Sequence, residues 1–172
     1  MADKDAQALL QQAVGHLQNN RELEGEATLA ALLKARPRDA NALQLLGVLR
    51  RAQNRWDEAE SLYRQSLAAD PAQPQVHHNL GNLLRAMGRL DDAIAEQREA
   101  VRLKPNYIEA HLNLASALAE KEDFGAAEKS VRRALQIQPN LAFARQTLGA
   151  ILNDQGKFKE AETVLRQGLA AG

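Results

Sequence analysis

Four of the five prolines fall at Pro37, Pro71, Pro105 and Pro139, each 34 residues after the one before. A fixed step of this size constrains a chain more than its composition does. It means that one supersecondary unit is built again and again, and that neighbouring units bury each other's apolar faces. Other positions keep the same step. Small residues recur at Gly25, Ala59, Ala93, Ala127 and Ala161. Aliphatic residues recur at Leu33, Leu67, Val101, Leu135 and Leu169. A third series, Leu46, Leu80, Leu114 and Leu148, is followed each time by Gly or Ala. Large apolar side chains recur at Trp56, Leu90, Phe124 and Phe158.

The pattern inside one unit is helical and broken once. Val76, Leu80, Leu83, Leu84 and Met87 follow helical spacing, Gly88-Arg89 interrupts them, and Leu90, Ala93, Ile94, Val101 and Leu103 resume it. Pro105 then stops the second helix, because proline lacks the N–H a helix interior needs and bars the preceding residue from helical geometry. A short turn between two helices makes them antiparallel neighbours. Ala, Leu, Gln, Glu and Arg dominate the chain, and these are strong helix formers. The expected fold class is all-α, with repeats at about 6–39, 40–73, 74–107, 108–141 and 142–172 in a single domain spanning 1–172.

These units resemble tetratricopeptide repeats. The second matches the family pattern with Leu46-Gly47, Ala59, Tyr63 and Pro71, the third with Leu80-Gly81, Ala93, Ala100 and Pro105. The fourth matches with Leu114-Ala115, Ala127, Ala134 and Pro139, and the fifth with Leu148-Gly149 and Ala161. The first departs from it, with Gln12-Ala13 for Leu-Gly, Gly25 for Ala and Leu32 for a small residue. The resemblance implies a right-handed superhelical solenoid in which the first helix of each pair lines a concave groove and the second forms the back.

It also implies which positions face a ligand: the second, fifth, sixth, ninth and twelfth of each repeat. In the second repeat these include Gln44 and Arg51, and in the third Gln75, His78, Asn79, Asn82 and Arg85. The fourth supplies Glu109, Asn113 and Ser116, the fifth Gln146 and Thr147. Asn79 and Asn113 share the sixth position. A carboxamide offers two donors and an acceptor, so it can hold both polar groups of a peptide unit. The pair is similar to the asparagine ladder in the repeats preceding O-linked N-acetylglucosamine transferases, but only two rungs long, since Gln11, Leu45 and Thr147 hold that position elsewhere. The carboxylate clamp of the same family fits less well. Asn82 and Asn113 match its asparagines, but His78, Phe143 and Thr147 stand where it needs cations.

Other functions find little support. Lys plus Arg and Asp plus Glu are both 22, so no net field draws the chain to nucleic acid or an anionic membrane. There is no Cys and no run approaching the roughly 20 apolar residues of a membrane span. No segment at the N-terminus has the look of a signal peptide, so a cytoplasmic location is expected. His77 and His111 occupy equivalent positions, yet no H-E-x-x-H or cysteine accompanies them, so they read as packing residues and no metal or cofactor is expected. No nucleophile elbow or phosphate loop is present. The fifth repeat ends at Ala171-Gly172 without a terminal proline, and a repeat array needs capped ends. That ending suits association with another copy, or a larger protein. The expectation is a non-enzymatic scaffold that binds an extended peptide or partner segment. The alternative is a recruiting or oligomerising arm of a larger enzyme, a transferase or oxygenase.

Overall fold

The structure, a computed structural model, describes residues 3–169. Ten helices and no strands occur among them: α1 (Asp3–Gln18), α2 (Glu22–Ala35), α3 (Ala40–Ala52), α4 (Trp56–Ala69), α5 (Pro74–Ala86), α6 (Leu90–Leu103), α7 (Ile108–Glu120), α8 (Phe124–Ile137), α9 (Ala142–Asp154) and α10 (Phe158–Leu169). Each expected repeat holds one pair, so the chain is an all-α repeat array. Residues 170–172, part of the basis for reading the fifth repeat as open-ended, lie outside the described residues.

The prolines act as the sequence reading requires. α2, α4, α6 and α8 each end two residues before one of them. The intervening residues Arg36, Asp70, Lys104 and Gln138 take φ between −132° and −144°, the extended geometry that a following proline imposes. Side-chain caps are few. The Asp39 carboxylate accepts from the Ala42 N–H at 3.0 Å and Asp123 from the Ala126 N–H at 3.1 Å.

The turn between the two helices of a repeat has its own rule. Asn20, Asn54, Gly88, Glu122 and Gly156 all have positive φ, between 57° and 76°. They are spaced 34 residues apart. The chain reverses through one left-handed residue in every repeat, a conformation that costs most L-residues about 1–2 kcal/mol and glycine almost nothing.

The helices group into two compact units, residues 1–83 and 84–172. In the first, Ala6, Ala13, Leu29, Leu32 and Ala42 form a buried cluster flanked by Leu10, Leu17 and Leu45. In the second, Ile94, Leu114, Leu118, Val131, Leu148 and Leu152 belong to one larger cluster. Small residues let the paired helices close up. A Cβ placed on Gly47 would lie 2.7 Å from the Tyr63 ring, and one on Gly149 would lie 2.7 Å from Leu165. The Tyr63 side chain is fully buried, with the Arg51 guanidinium beside its hydroxyl. Burial pushes its pKa up to about 12, although neighbouring Arg51 works the other way.

Candidate functional site

The second, fifth, sixth, ninth and twelfth positions fall along one stripe of each first helix, because steps of three and four residues return to the same face. The neighbouring faces are occupied by packing: Val76, Leu80 and Leu83 on α5, and Ala110, Leu114 and Ala117 on α7, are all buried. The stripe stays accessible at eleven of the twelve expected site residues. In the first unit Gln44, Asn79 and Asn82 are half-buried, while Arg51 and Gln75 are exposed. In the second unit Arg85, Asn113, Ser116 and Thr147 are half-buried, while Glu109 and Gln146 are exposed.

His78 is the exception, with 8% of its surface accessible. Its Nε2 lies 3.1 Å from the Asn82 amide nitrogen one turn on. A buried imidazole in this place contacts a ligand poorly, and the structure sets it against the Asn82 amide. Leu112, at the same position of the fourth repeat, is likewise buried and joins the core.

The other stripe residues differ in how far the chain has already engaged them. The Gln75 amide donates to Asn79 Oδ1 at 3.3 Å. Arg85 Nη1 donates to Glu120 Oε1 at 2.6 Å, so its charge is partly met within the second unit. The Ser116 and Thr147 hydroxyls donate to carbonyls one turn back, Leu112 O at 3.1 Å and Phe143 O at 2.9 Å, which leaves their lone pairs to solvent. Asn113 makes no side-chain hydrogen bond among the described residues, so both ends of its amide are available. Asn79 and Asn113 lie in different units.

The equivalent histidines prove to be structural pins. His77 Nε2 lies 3.1 Å from the Pro71 carbonyl, and His111 Nε2 lies 3.1 Å from that of Pro105. A carbonyl only accepts, so each Nε2 carries the proton and donates. The contact ties the first turn of a repeat to the loop that precedes it. Burial holds the His111 pKa below the usual imidazole value, opposed by that hydrogen bond. Among the described residues no group of three His, Cys, Asp or Glu side chains could hold a metal ion. No helix among them is long and apolar enough to cross a membrane.

The stripe is not polar throughout. Leu10 and Val14 of α1 and Leu45 and Val48 of α3 are half-buried, so the first two repeats present aliphatic carbon where the later repeats present amides and hydroxyls. Phe143 is 60% exposed, an aromatic ring standing at the second position of the fifth repeat.

Comparison with known proteins agrees with this architecture. A family model described as TPR repeat matches residues 81–122, and models described as tetratricopeptide repeat match 50–96, 108–141 and 144–171. No curated protein sequence matches the chain. Among solved structures it is similar to a crystal structure of MamA, at 18% identity and a TM-score of 0.86, covering 92% of this chain and 93% of that one. It is similar to MamA residues 41–end from Desulfovibrio magneticus RS-1, at 17% identity and a TM-score of 0.88, covering 99% and 96%. It also resembles pilF of Pseudomonas aeruginosa, at 22% identity and a TM-score of 0.83, covering 96% and 77%. At these identities the likeness is one of fold.

Proposed function

The chain belongs to the tetratricopeptide-repeat family, and on that premise we propose that it is a protein-interaction scaffold whose first helices receive an extended segment of a partner protein. The observation that carries the reading is the accessible polar stripe. It recurs at the same register in repeats three to five, on helices whose adjoining faces are buried. Scaffolding alone would place core or charged surface residues there. A run of neutral amides suits a peptide backbone, because each can meet one N–H and one C=O without demanding a side chain.

In this reading Asn79 and Asn113 are backbone-holding rungs, and Asn82, oriented by His78, adds a third amide. Gln44, Gln75, Ser116, Gln146 and Thr147 extend the polar surface, while Arg51 and Glu109 set charge preferences at their own positions. The receptor side is preformed and the peptide bears the ordering entropy, so affinity in the range of about 1 μM is expected. The test is capture of partners from a cell lysate by the native chain and by the Asn79→Ala, Asn113→Ala double variant, with folding verified by helical circular dichroism. Loss of a captured protein in the folded variant supports the reading. Equal capture by both overturns the role of the asparagines.

A further inference from the structure

The first-helix stripe of the second unit carries two charged side chains, and the chain meets only one of them. Arg85 is paired with Glu120 at 2.6 Å. Glu109 is exposed and makes no ion pair or hydrogen bond through its carboxylate among the described residues. Its place in the first turn of α7 suits the helix dipole. The dipole does not explain what stands at the same place in the next repeat, which is Phe143, in the first turn of α9.

Four large apolar side chains are exposed among the described residues, Leu23, Trp56, Phe143 and Phe158, and of these Phe143 alone stands on a first helix. It takes no part in the apolar cluster of the second unit. The two helices that carry Glu109 and Phe143 are fixed to each other by that cluster. Leu114 and Leu118 of α7 share it with Leu148 and Leu152 of α9, and Ile108 and Ala144, next to Glu109 and Phe143 in the chain, pack into it as well. The first turns of α7 and α9 are therefore anchored in one core, and carboxylate and ring occupy the same register on neighbouring repeats.

The stripe around them accepts more than it donates. The Ser116 and Thr147 hydroxyls give their protons to Leu112 O and Phe143 O, at 3.1 and 2.9 Å, and only lone pairs remain for a ligand. A carboxylate only accepts, and the face of a phenyl ring is the negative side of its quadrupole. Asn113 and Gln146 serve either way. A surface of acceptors with one unmet negative charge is complementary to a donor-rich cation, and guanidinium and ammonium groups both pair with carboxylates and lie over aromatic faces. An acidic segment would meet repulsion at Glu109.

We propose that the first-helix stripe of the second unit binds a basic partner segment, with an arginine or lysine side chain paired to Glu109 and a cationic side chain lying over the Phe143 ring. Asn113 holds the intervening backbone, and Ser116 and Thr147 accept from its N–H groups. The proposal rests on the scaffold reading above and assigns it a ligand chemistry.

The test is selection of a random dodecapeptide display library on the intact chain, followed by affinity measurement of the selected peptides on the native chain, Glu109→Gln and Phe143→Leu. Both positions are exposed, so the variants fold, which helical circular dichroism verifies. The expected native pool is rich in Arg and Lys. Lys plus Arg and Asp plus Glu are both 22 in this chain, so a general attraction for cations does not account for such a pool. Glu109→Gln keeps the shape and removes the charge, and it weakens the peptides about fivefold. Phe143→Leu keeps apolar bulk and removes the ring face, and it weakens them about threefold. A pool without basic preference, no pool at all, or binding unmoved by either change overturns the proposal. Peptides lost on the Asn79→Ala, Asn113→Ala variant but unmoved by Glu109→Gln and Phe143→Leu would leave the scaffold reading standing and remove this one. Peptides unmoved by all the variants would remove both.

Discussion

Two junctions between successive repeats occupy the same register and are built from opposite chemistry. Where the first repeat meets the second, the twenty-first position of one and the eleventh of the next are Glu26 and Arg50. Arg50 is 8% exposed, and its guanidinium donates to Glu26 at 2.5 Å and to the Gln53 amide oxygen at 2.9 Å, with Glu58 at 3.4 Å. Where the third meets the fourth, the same two positions are Ile94 and Leu118, buried in one apolar cluster. The fourth-to-fifth junction is mixed. Glu128 stands opposite the Leu152 position but turns to Lys157 at 2.9 Å and Arg132 at 2.6 Å. The repeat geometry therefore fixes where a junction residue sits and leaves its chemistry open. The charged solution must recover the cost of desolvating an arginine, and it does so only while every partner is in place.

The sharpest way to break the comparison is to truncate each junction. Leu118→Ala removes buried carbon and leaves a cavity, an expected loss of about 3 kcal/mol in denaturant unfolding. Arg50→Ala strips Glu26 of its direct cation while Glu58 keeps its bidentate pair with Arg55, and about 2 kcal/mol is expected, less than for a fully enclosed pair because Glu26 keeps contact with water. If Arg50→Ala costs nothing, the charged junction is ornamental and the contrast fails.

Transplanting one junction's chemistry into the other sharpens it. The double replacement Glu26→Ile, Arg50→Leu installs the side chains of the apolar junction. It is expected to fall within about 1 kcal/mol of native stability or above it, whereas the two single changes sum to a clear loss. Strict additivity in a double-mutant cycle would show that the pair is not a unit.

Acid separates the junctions without mutation. The Glu26 pKa lies below its ordinary value, chiefly through its hydrogen bond from Arg50, and that of Glu128 is lowered chiefly by Lys157. Each contributes stability that is complete above the unfolded carboxylate value of about 4.3 and is lost as pH falls through the lower folded value. Native chain should therefore lose stability below about pH 4.3 more steeply than the Glu26→Ile, Arg50→Leu variant. Parallel acid curves for the two proteins would sink the assignment.

Much of this architecture was legible in the sequence, because packing positions repeat as residue types. Ala59, Ala93, Ala127 and Ala161 share a step and are all buried, and the prolines mark the ends of four helices. What escaped depends on geometry that residue identity does not encode. Arg50 belongs to no repeated series of residue types, and its carboxylate lies 24 residues back across a repeat boundary. His78 read as a groove residue from its register, yet the structure buries it and leaves Asn82 as the outward group. The aliphatic residues Leu10 and Val14 sit in the repeat that departs most from the family pattern, where matching positions to the pattern is least informative.

The left-handed turn carries the comparison between units down to its smallest expected effect. The first unit uses Asn20 and Asn54 there, and asparagine tolerates this region through local hydrogen bonding of its amide. The second unit uses Gly88, Glu122 and Gly156. Glu122 is the misfit, since its longer side chain has neither the freedom of glycine nor the short amide of asparagine. It is exposed, so replacing it disturbs no packing. Glu122→Gly is expected to raise stability by about 1 kcal/mol, the strain released less the extra entropy of an unfolded glycine. Asn54→Gly at the equivalent turn is expected to change stability by only a few tenths of a kcal/mol, because asparagine was already accommodated. Thermal melts of the two variants decide the matter: equal shifts would mean that the turn sets the cost regardless of residue, and a larger gain at Glu122 would locate the strain in the second unit.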